Sequence, residues 1–137
     1  MYIDTSHKVC EVIQRYINKE VEEIWVLALN NNLRLIEKRL IFRGTLNQCL
    51  FHPRDIFRYV SLLNAACFIM VHNHPSGDFR PSRSDRILTN RLYALSIMME
   101  IPLKDHVIVT DQGHYSFAEN AKLKIAKSIK ASTLVGI

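Results

Sequence analysis

The sequence has few cysteines, no long apolar run and no block of like charge, and each shortage argues against a class of protein. Three cysteines in 137 residues, Cys10, Cys49 and Cys67, are odd in number, far apart and without C-x-x-C spacing. A disulfide framework and a thiolate zinc site are therefore not expected. The longest nearly apolar stretch, YVSLLNAACFIMV (59–71), is broken by Ser61 and Asn64. A membrane-spanning helix needs roughly 20 apolar residues, so no membrane role is expected. The N-terminus MYIDTSHKVCEVIQ has neither a basic n-region nor an apolar h-region, which argues against a secretory signal. Reduced thiols and a cytoplasmic location are the expectation. Eighteen Lys+Arg stand against 13 Asp+Glu, a formal net charge of +5 spread along the chain. That balance permits an acidic partner such as nucleic acid without requiring one.

What is present is ordinary globular composition, 48% apolar and 23% charged. There is no internal repeat and no linker, and 1–137 reads as a single domain with a basic tail from about 120 to 137. SHKVCEVIQRYINKE spaces Val9, Val12, Ile13, Tyr16 and Ile17 as one helical face, with Ser6 as cap. IWVLALNNNLRLIEKRLIF reads as two strands joined by a turn at Asn30–Asn32, residues that tolerate positive φ. GTLNQCLF suggests a turn and a short extended segment. HPRDIFRYVSLLN reads as a helix opened by Pro53 and facing inward through Ile56, Phe57, Val60 and Leu63. AACFIMVH is continuously apolar, the pattern of a buried central strand. SDRILTNRLYALSIMME predicts a helix capped by Ser82 or Ser84, with Leu88, Leu92, Leu95 and Met99 on one face, stopped by Pro102. HVIVTDQGHYSF reads as a hairpin turning at DQGH. The sum is an α/β domain with a mixed sheet flanked by helices.

A polar loop, VHNHPSGDFRPSRSD (71–85), follows the central strand, a common place for function. His72 and His74 are two residues apart, so in extended backbone their side chains share a face, about 6.6 Å apart from the per-residue rise. Two imidazoles so placed can lean onto one zinc ion, with Zn–N contacts of about 2.0–2.1 Å. Asp85, beyond a ten-residue loop, is a suitable third ligand. Three protein ligands leave a fourth position for water, the mark of catalytic rather than structural zinc. Bound zinc lowers the pKa of water towards ~7. Such a site also wants a general base, and a serine hydroxyl of the loop can stabilise an oxyanion. The plain alternative is a turn carrying a surface histidine, with Asp85 merely favourable to a helix start. A contiguous His-Asn-His is not a sign of the nuclease motif that shares those letters.

These residues resemble the JAMM motif of JAB/MPN-type metalloproteases, H-x-H-x7-S-x2-D, and His72, His74, Ser82 and Asp85 meet every spacing. The Pro-Ser-Gly and Pro-Ser details resemble the RadC branch, as do EEIWVLALNNNLRLI, FRGTLN, HPRDIF, LNAA, LKDHVIV and YSFAE in that order. The resemblance runs from about Glu22 to Glu119. It implies a cytidine-deaminase-like JAB/MPN fold, one zinc per chain held by His72, His74 and Asp85, and Ser82 orienting or polarising the reacting carbonyl. The implied activity is hydrolysis of an amide in a peptide or ubiquitin-like protein. The family's base is a glutamate just before the first strand. Glu22 and Glu23 both stand there, the family spacing selects Glu22, and strand alternation allows only one of them to reach the metal.

An association of RadC with DNA repair implies a second reading, a DNA-associated accessory protein with a structural or idle metal site. The resemblance includes no N-terminal helical domain, the part of full-length members most readily assigned to DNA. Arg80, Arg83 and Arg86 beside the loop suit a carboxylate-rich peptide or a phosphate backbone, or are simply solvated. Phosphate contacts would show as about one unit of log–log salt slope each. A deaminase-like hydrolase is disfavoured because the loop lacks cysteine ligands. His106 is expected to be a hydrogen-bonded structural histidine, His52 a cap or turn residue, Trp25 and Phe42 core residues, and Cys67 a small core residue.

Overall fold

The computed structural model describes residues 1–44 and 51–124. Cys49, most of the GTLNQCLF segment and the greater part of the basic tail lie outside the described residues. The elements are α1 (Ser6–Ile13), β1 (Glu23–Leu29), β2 (Leu35–Arg43), α2 (Pro53–Leu62), β3 (Cys67–Asn73), α3 (Arg83–Met98), β4 (Leu103–Thr110) and β5 (Gly113–Ser116). The strands form one sheet in the order β2-β1-β3-β4-β5. Neighbours are antiparallel except β3 and β4, which run parallel. A parallel pair needs a long crossover, and the loop after β3 together with α3 supplies it. Among the described residues no helix is long and apolar enough to cross a membrane.

The sheet is covered on both faces. One face packs Val26, Ala28, Phe68 and Met70 against Ile56 and Val60 of α2 and Leu92 of α3. The other packs Leu27, Leu29, Ile69, Val71, Val107 and Val109 against Val9 and Ile13 of α1. Double burial explains why AACFIMVH shows no alternation: all seven residues of β3 are buried. It also fixes register, because a one-residue slip would carry each side chain to the wrong layer. In that register Ile24 of β1 lies opposite His72 of β3.

Several local expectations shift. The cap of α1 is Thr5, whose hydroxyl accepts the Lys8 N–H, not Ser6. Ser6 is buried instead, its hydroxyl 2.9 Å from His114 Nε2. The helix stops at Ile13, and Tyr16 lies beyond it, half exposed. In the β1–β2 turn the positive φ falls on Leu33 at 60°. Asn30 acts by its side chain, Oδ1 accepting the N–H groups of Asn32 and Arg34. His52 is the N-cap of α2 but makes no side-chain capping bond. On α3, Leu92 is buried while Met99 is an exposed C-cap.

Candidate metal centre

Strand β3 delivers His72 at its buried end, and the chain leaves the sheet through His74, whose N–H still donates to the Val109 carbonyl. Nine residues after His74, α3 begins at Arg83. Ser82 is its N-cap, accepting the Asp85 N–H on Oγ while its own N–H donates to Asp85 Oδ2 at 2.8 Å. This reciprocal box ties down two N–H donors of the helix start. It also aims the Asp85 carboxylate back at the two histidines. His74 Nε2 lies 3.0 Å from Asp85 Oδ2, and His72 Nδ1 lies 3.1 Å from Asp85 Oδ1. The sequence-selected ligands therefore meet: one donor atom from each of His72, His74 and Asp85 lies within 4.8 Å of the others. Ligands around tetrahedral zinc stand about 3.4 Å apart, a spacing small rotamer shifts would reach.

Three observations bear on whether a cation fits. First, both ring nitrogens of His72 and Asp85 Oδ1 are buried without a hydrogen-bond partner among the described residues, despite the short His72–Asp85 distance. Unsatisfied buried polar atoms are costly, and His72 Nδ1 and Asp85 Oδ1, 3.1 Å apart, are two that one cation between them would satisfy. Second, His74 Nδ1 lies 2.8 Å from the Asp78 carbonyl oxygen, to which it must donate. In neutral imidazole Nε2 is then a bare lone pair facing a carboxylate oxygen, a contact that needs a proton or a metal between them. Third, the donor set, two imidazoles and one carboxylate, is one that divalent metals take. The residues fit.

The electrostatics agree. The hydrogen bond to Asp85 raises the His74 pKa above its ordinary value, against the pull of burial, and the charge of nearby Glu22 adds to the rise. Burial pushes the Asp85 carboxyl up, but the contacts with His72 and His74 and the Ser82 N–H outweigh it and hold it well below the usual range. Asp85 is thus ionised and available as a ligand.

The two candidate glutamates part company. Glu23 is fully buried on the α1 side of the sheet, as its link to Trp25 shows. Its Oε1 accepts the Asn18 N–H at 2.8 Å and the Trp25 indole N–H at 3.1 Å. Its Oε2 lies 2.9 Å from Arg43 Nε and 2.7 Å from Arg43 Nη2. Every lone pair in reach of a partner is occupied. Glu22 is half-buried, one step before β1, and extending the Ile24–His72 register by two residues sets it in line with His74.

Ser82 is exposed, and its hydroxyl hydrogen has no acceptor among the described residues. His106 is buried; its Nδ1 lies 2.6 Å from Thr89 Oγ1, which in turn donates to the Asp85 carbonyl at 2.7 Å. Its ring lies 4.7 Å from that of Phe117, stacked on it, and burial with the nearby His72 pushes its pKa down to about 3. His106 is hence the hydrogen-bonded histidine expected, and through Thr89 it also props a ligand residue. Beside the centre runs an open groove lined by His74, Ser76, Arg80, Pro81, Ser82 and Arg86. Arg80 is bound to Asp78 through both its Nε and Nη2. Sequence reasoning passed over Thr89 and Asn73. The alternation that separated Glu22 from Glu23 is the signal that would have placed Asn73 on the sheet face opposite His72 and His74.

The fold and site together define a three-layer α/β domain carrying a His-His-Asp group that can hold a metal ion at the end of a central strand. The chain belongs to the RadC-like JAB domain family, whose model matches residues 3–123. Its architecture is accordingly of the JAB/MPN type. It is 40% identical over 121 residues to a UPF0758 protein of Thermotoga maritima, covering 88% of this chain and 54% of that one. Identity to a UPF0758 protein of Pasteurella multocida is 43% over 106 residues, 77% of this chain and 47% of the relative. A UPF0758 protein of Chlorobium phaeovibrioides is 41% identical over 122 residues, 88% and 55% of the two chains. The chain thus spans about half the length of the curated relatives it matches.

Proposed function

We propose that this chain is a zinc-dependent metallopeptidase or isopeptidase-like hydrolase of the JAMM type. His72, His74 and Asp85 hold one zinc per chain, Glu22 is the general base and Ser82 assists at the substrate carbonyl. The observation that carries the reading is the convergence of buried, partnerless nitrogen and oxygen atoms from His72 and Asp85, completed by His74. Zinc with three protein ligands keeps a fourth position open, polarises a carbonyl and brings the pKa of water towards ~7.

The protein groups do the rest. Glu22 takes the proton from the attacking water and returns it to the leaving nitrogen, so the amide C–N bond breaks with a neutral amine departing. The Ser82 hydroxyl, with its hydrogen uncommitted, donates to the oxygen on which negative charge develops. The groove beside His74 and Ser82 gives an extended peptide an approach to the centre. The substrate class is a peptide or a ubiquitin-like protein.

Metal analysis tests the core of this. Purified wild type should carry about one zinc per chain, from the four-coordinate stoichiometry. His74→Ala should lose it, and Glu22→Gln should keep it while losing peptide hydrolysis at least a hundredfold, as removal of a general base does. Wild type with less than about half a zinc, no different from His74→Ala, would sink the reading.

A further inference from the structure

Asn73, the residue between the two histidines, has no part in the chemistry above, yet its buried side chain makes three hydrogen bonds. Its Oδ1 accepts the Glu23 N–H at 2.7 Å, and its Nδ2 donates to the Val21 carbonyl at 2.8 Å and the Asn18 carbonyl at 3.2 Å. All three partners lie in the segment 18–23, which carries Glu22 into the sheet. The β2 side holds the same segment. Gly44 N–H donates to the Glu22 carbonyl at 2.9 Å, and Arg43 grips the Glu23 carboxylate, whose other oxygen returns to the Asn18 N–H. The backbone on either side of Glu22 is thus bonded on both flanks: the Val21 carbonyl, the Glu22 carbonyl and the Glu23 N–H.

Alternation explains the division of labour. A strand residue between two that face one side must face the other. His72 and His74 turn towards Asp85 of α3, so residue 73 looks to the α1 side, where the chain passes from α1 into β1. An asparagine suits this post because it offers one acceptor and two donors, and here it meets one N–H and two carbonyls. We infer that Asn73 is a positioning residue that locks the Glu22-bearing segment to the ligand-bearing strand, fixing the base relative to the metal ligands. The inference rests on the reading of Glu22 as base. Its worth follows from geometry, since a misplacement of about 1 Å in a reacting group can cost about a hundredfold in rate.

The test uses the full chain loaded with zinc, p-nitrophenyl acetate as a generic activated ester, and hydrogen exchange on the metal-free protein. Asn73→Ala should bind zinc within about threefold of wild type by chelator competition, because no ligand is touched. Amide exchange in segment 18–23 should quicken by at least about tenfold, with β1 and β3 still protected. Ester hydrolysis should fall at least about tenfold. The double variant with Glu22→Gln should be no slower than Glu22→Gln alone, since a misplaced base and an absent base are the same loss. If Asn73→Ala does not fold, Asn73→Ser carries the same comparisons. Normal hydrolysis with slow exchange in the variant would overturn the proposal, as would a double variant slower by the full Asn73 factor. Unaltered hydrolysis in Glu22→Gln would instead remove the base reading, and this inference with it, while faster exchange in Asn73→Ala would still report the clamp.

Discussion

Glu23 is the residue whose chemistry differs most from its neighbour's. Burial alone would push its carboxyl up, yet the Asn18 N–H, the Trp25 indole and the Arg43 guanidinium outweigh it and hold the pKa below the ordinary value. A carboxylate with a depressed folded pKa stabilises the fold at pH above its unfolded value, about 4.3, and that stability drains away as pH falls through the folded value. Glu23→Gln should therefore lower the melting temperature at pH 7 and lose less of it between about pH 5 and pH 3. Thermal unfolding of both proteins across that range checks this, and parallel curves would contradict it. Sequence alone ranked Glu22 and Glu23 by spacing and strand parity. It could not show that Arg43, twenty residues on, occupies one of them, because that pairing depends on the β1–β2 register.

At the scale of elements, α3 shows what periodicity reads and what it misses. The leucine repeat located the helix, and the serine ahead of it located the start to within two residues. The buried stripe itself is largely polar, with Asp85, Thr89 and Ser96 beside Leu92. Each polar member has a partner outside the helix or at its start: Asp85 meets the histidines, Thr89 meets His106, and Ser96 accepts the Leu103 N–H. Hydrophobic patterning is blind to such a stripe because its partners come from β3 and β4. The cap of α3 joins stability to the site, since the same two bonds that begin the helix aim the carboxylate. Ser82→Ala should cost about 1 kcal/mol of stability. Zinc affinity should stay within about threefold of wild type, because the bond that aims the carboxylate comes from the Ser82 backbone N–H, which alanine keeps. Denaturant unfolding with and without chelator separates the two effects; a tenfold loss of zinc affinity would show that the Ser82 hydroxyl, and not its backbone N–H, holds Asp85 in place.

For the molecule as a whole, burial on both faces of the sheet made the central strand legible, while the α1 boundary and the site of positive φ were set by contacts distant in sequence. Leu33, not an asparagine, takes the left-handed conformation, and the turn around it is tied to the N-terminus, the Leu33 carbonyl accepting the Ile3 N–H and Leu35 donating to the Met1 carbonyl. The candidate metal centre was legible because its donors lie close in the chain. An ion that binds only the folded state stabilises it by mass action, about 2.7 kcal/mol at a hundred times the dissociation constant. Zinc at that excess should raise the melting temperature by several degrees, roughly 5–15 °C for a chain of this size. A chelator should reverse the rise, and His74→Ala should show none of it. An equal rise in that variant would place the effect elsewhere.

The three side chains that could hold a metal ion all lie between His72 and Asp85, whereas Glu22, the base proposed above, stands just ahead of β1 in a different stretch of sequence. On the proposed reading the two halves of the centre can therefore change independently of each other. A lineage can lose the glutamate and keep the ion as a fastening for its fold. It can instead retain the whole set while the groove beside Ser82 diverges to admit new partners. Silent and active descendants of one ancestor would then share a loop that looks the same in both, and the residue that tells them apart would stand some fifty positions upstream of it.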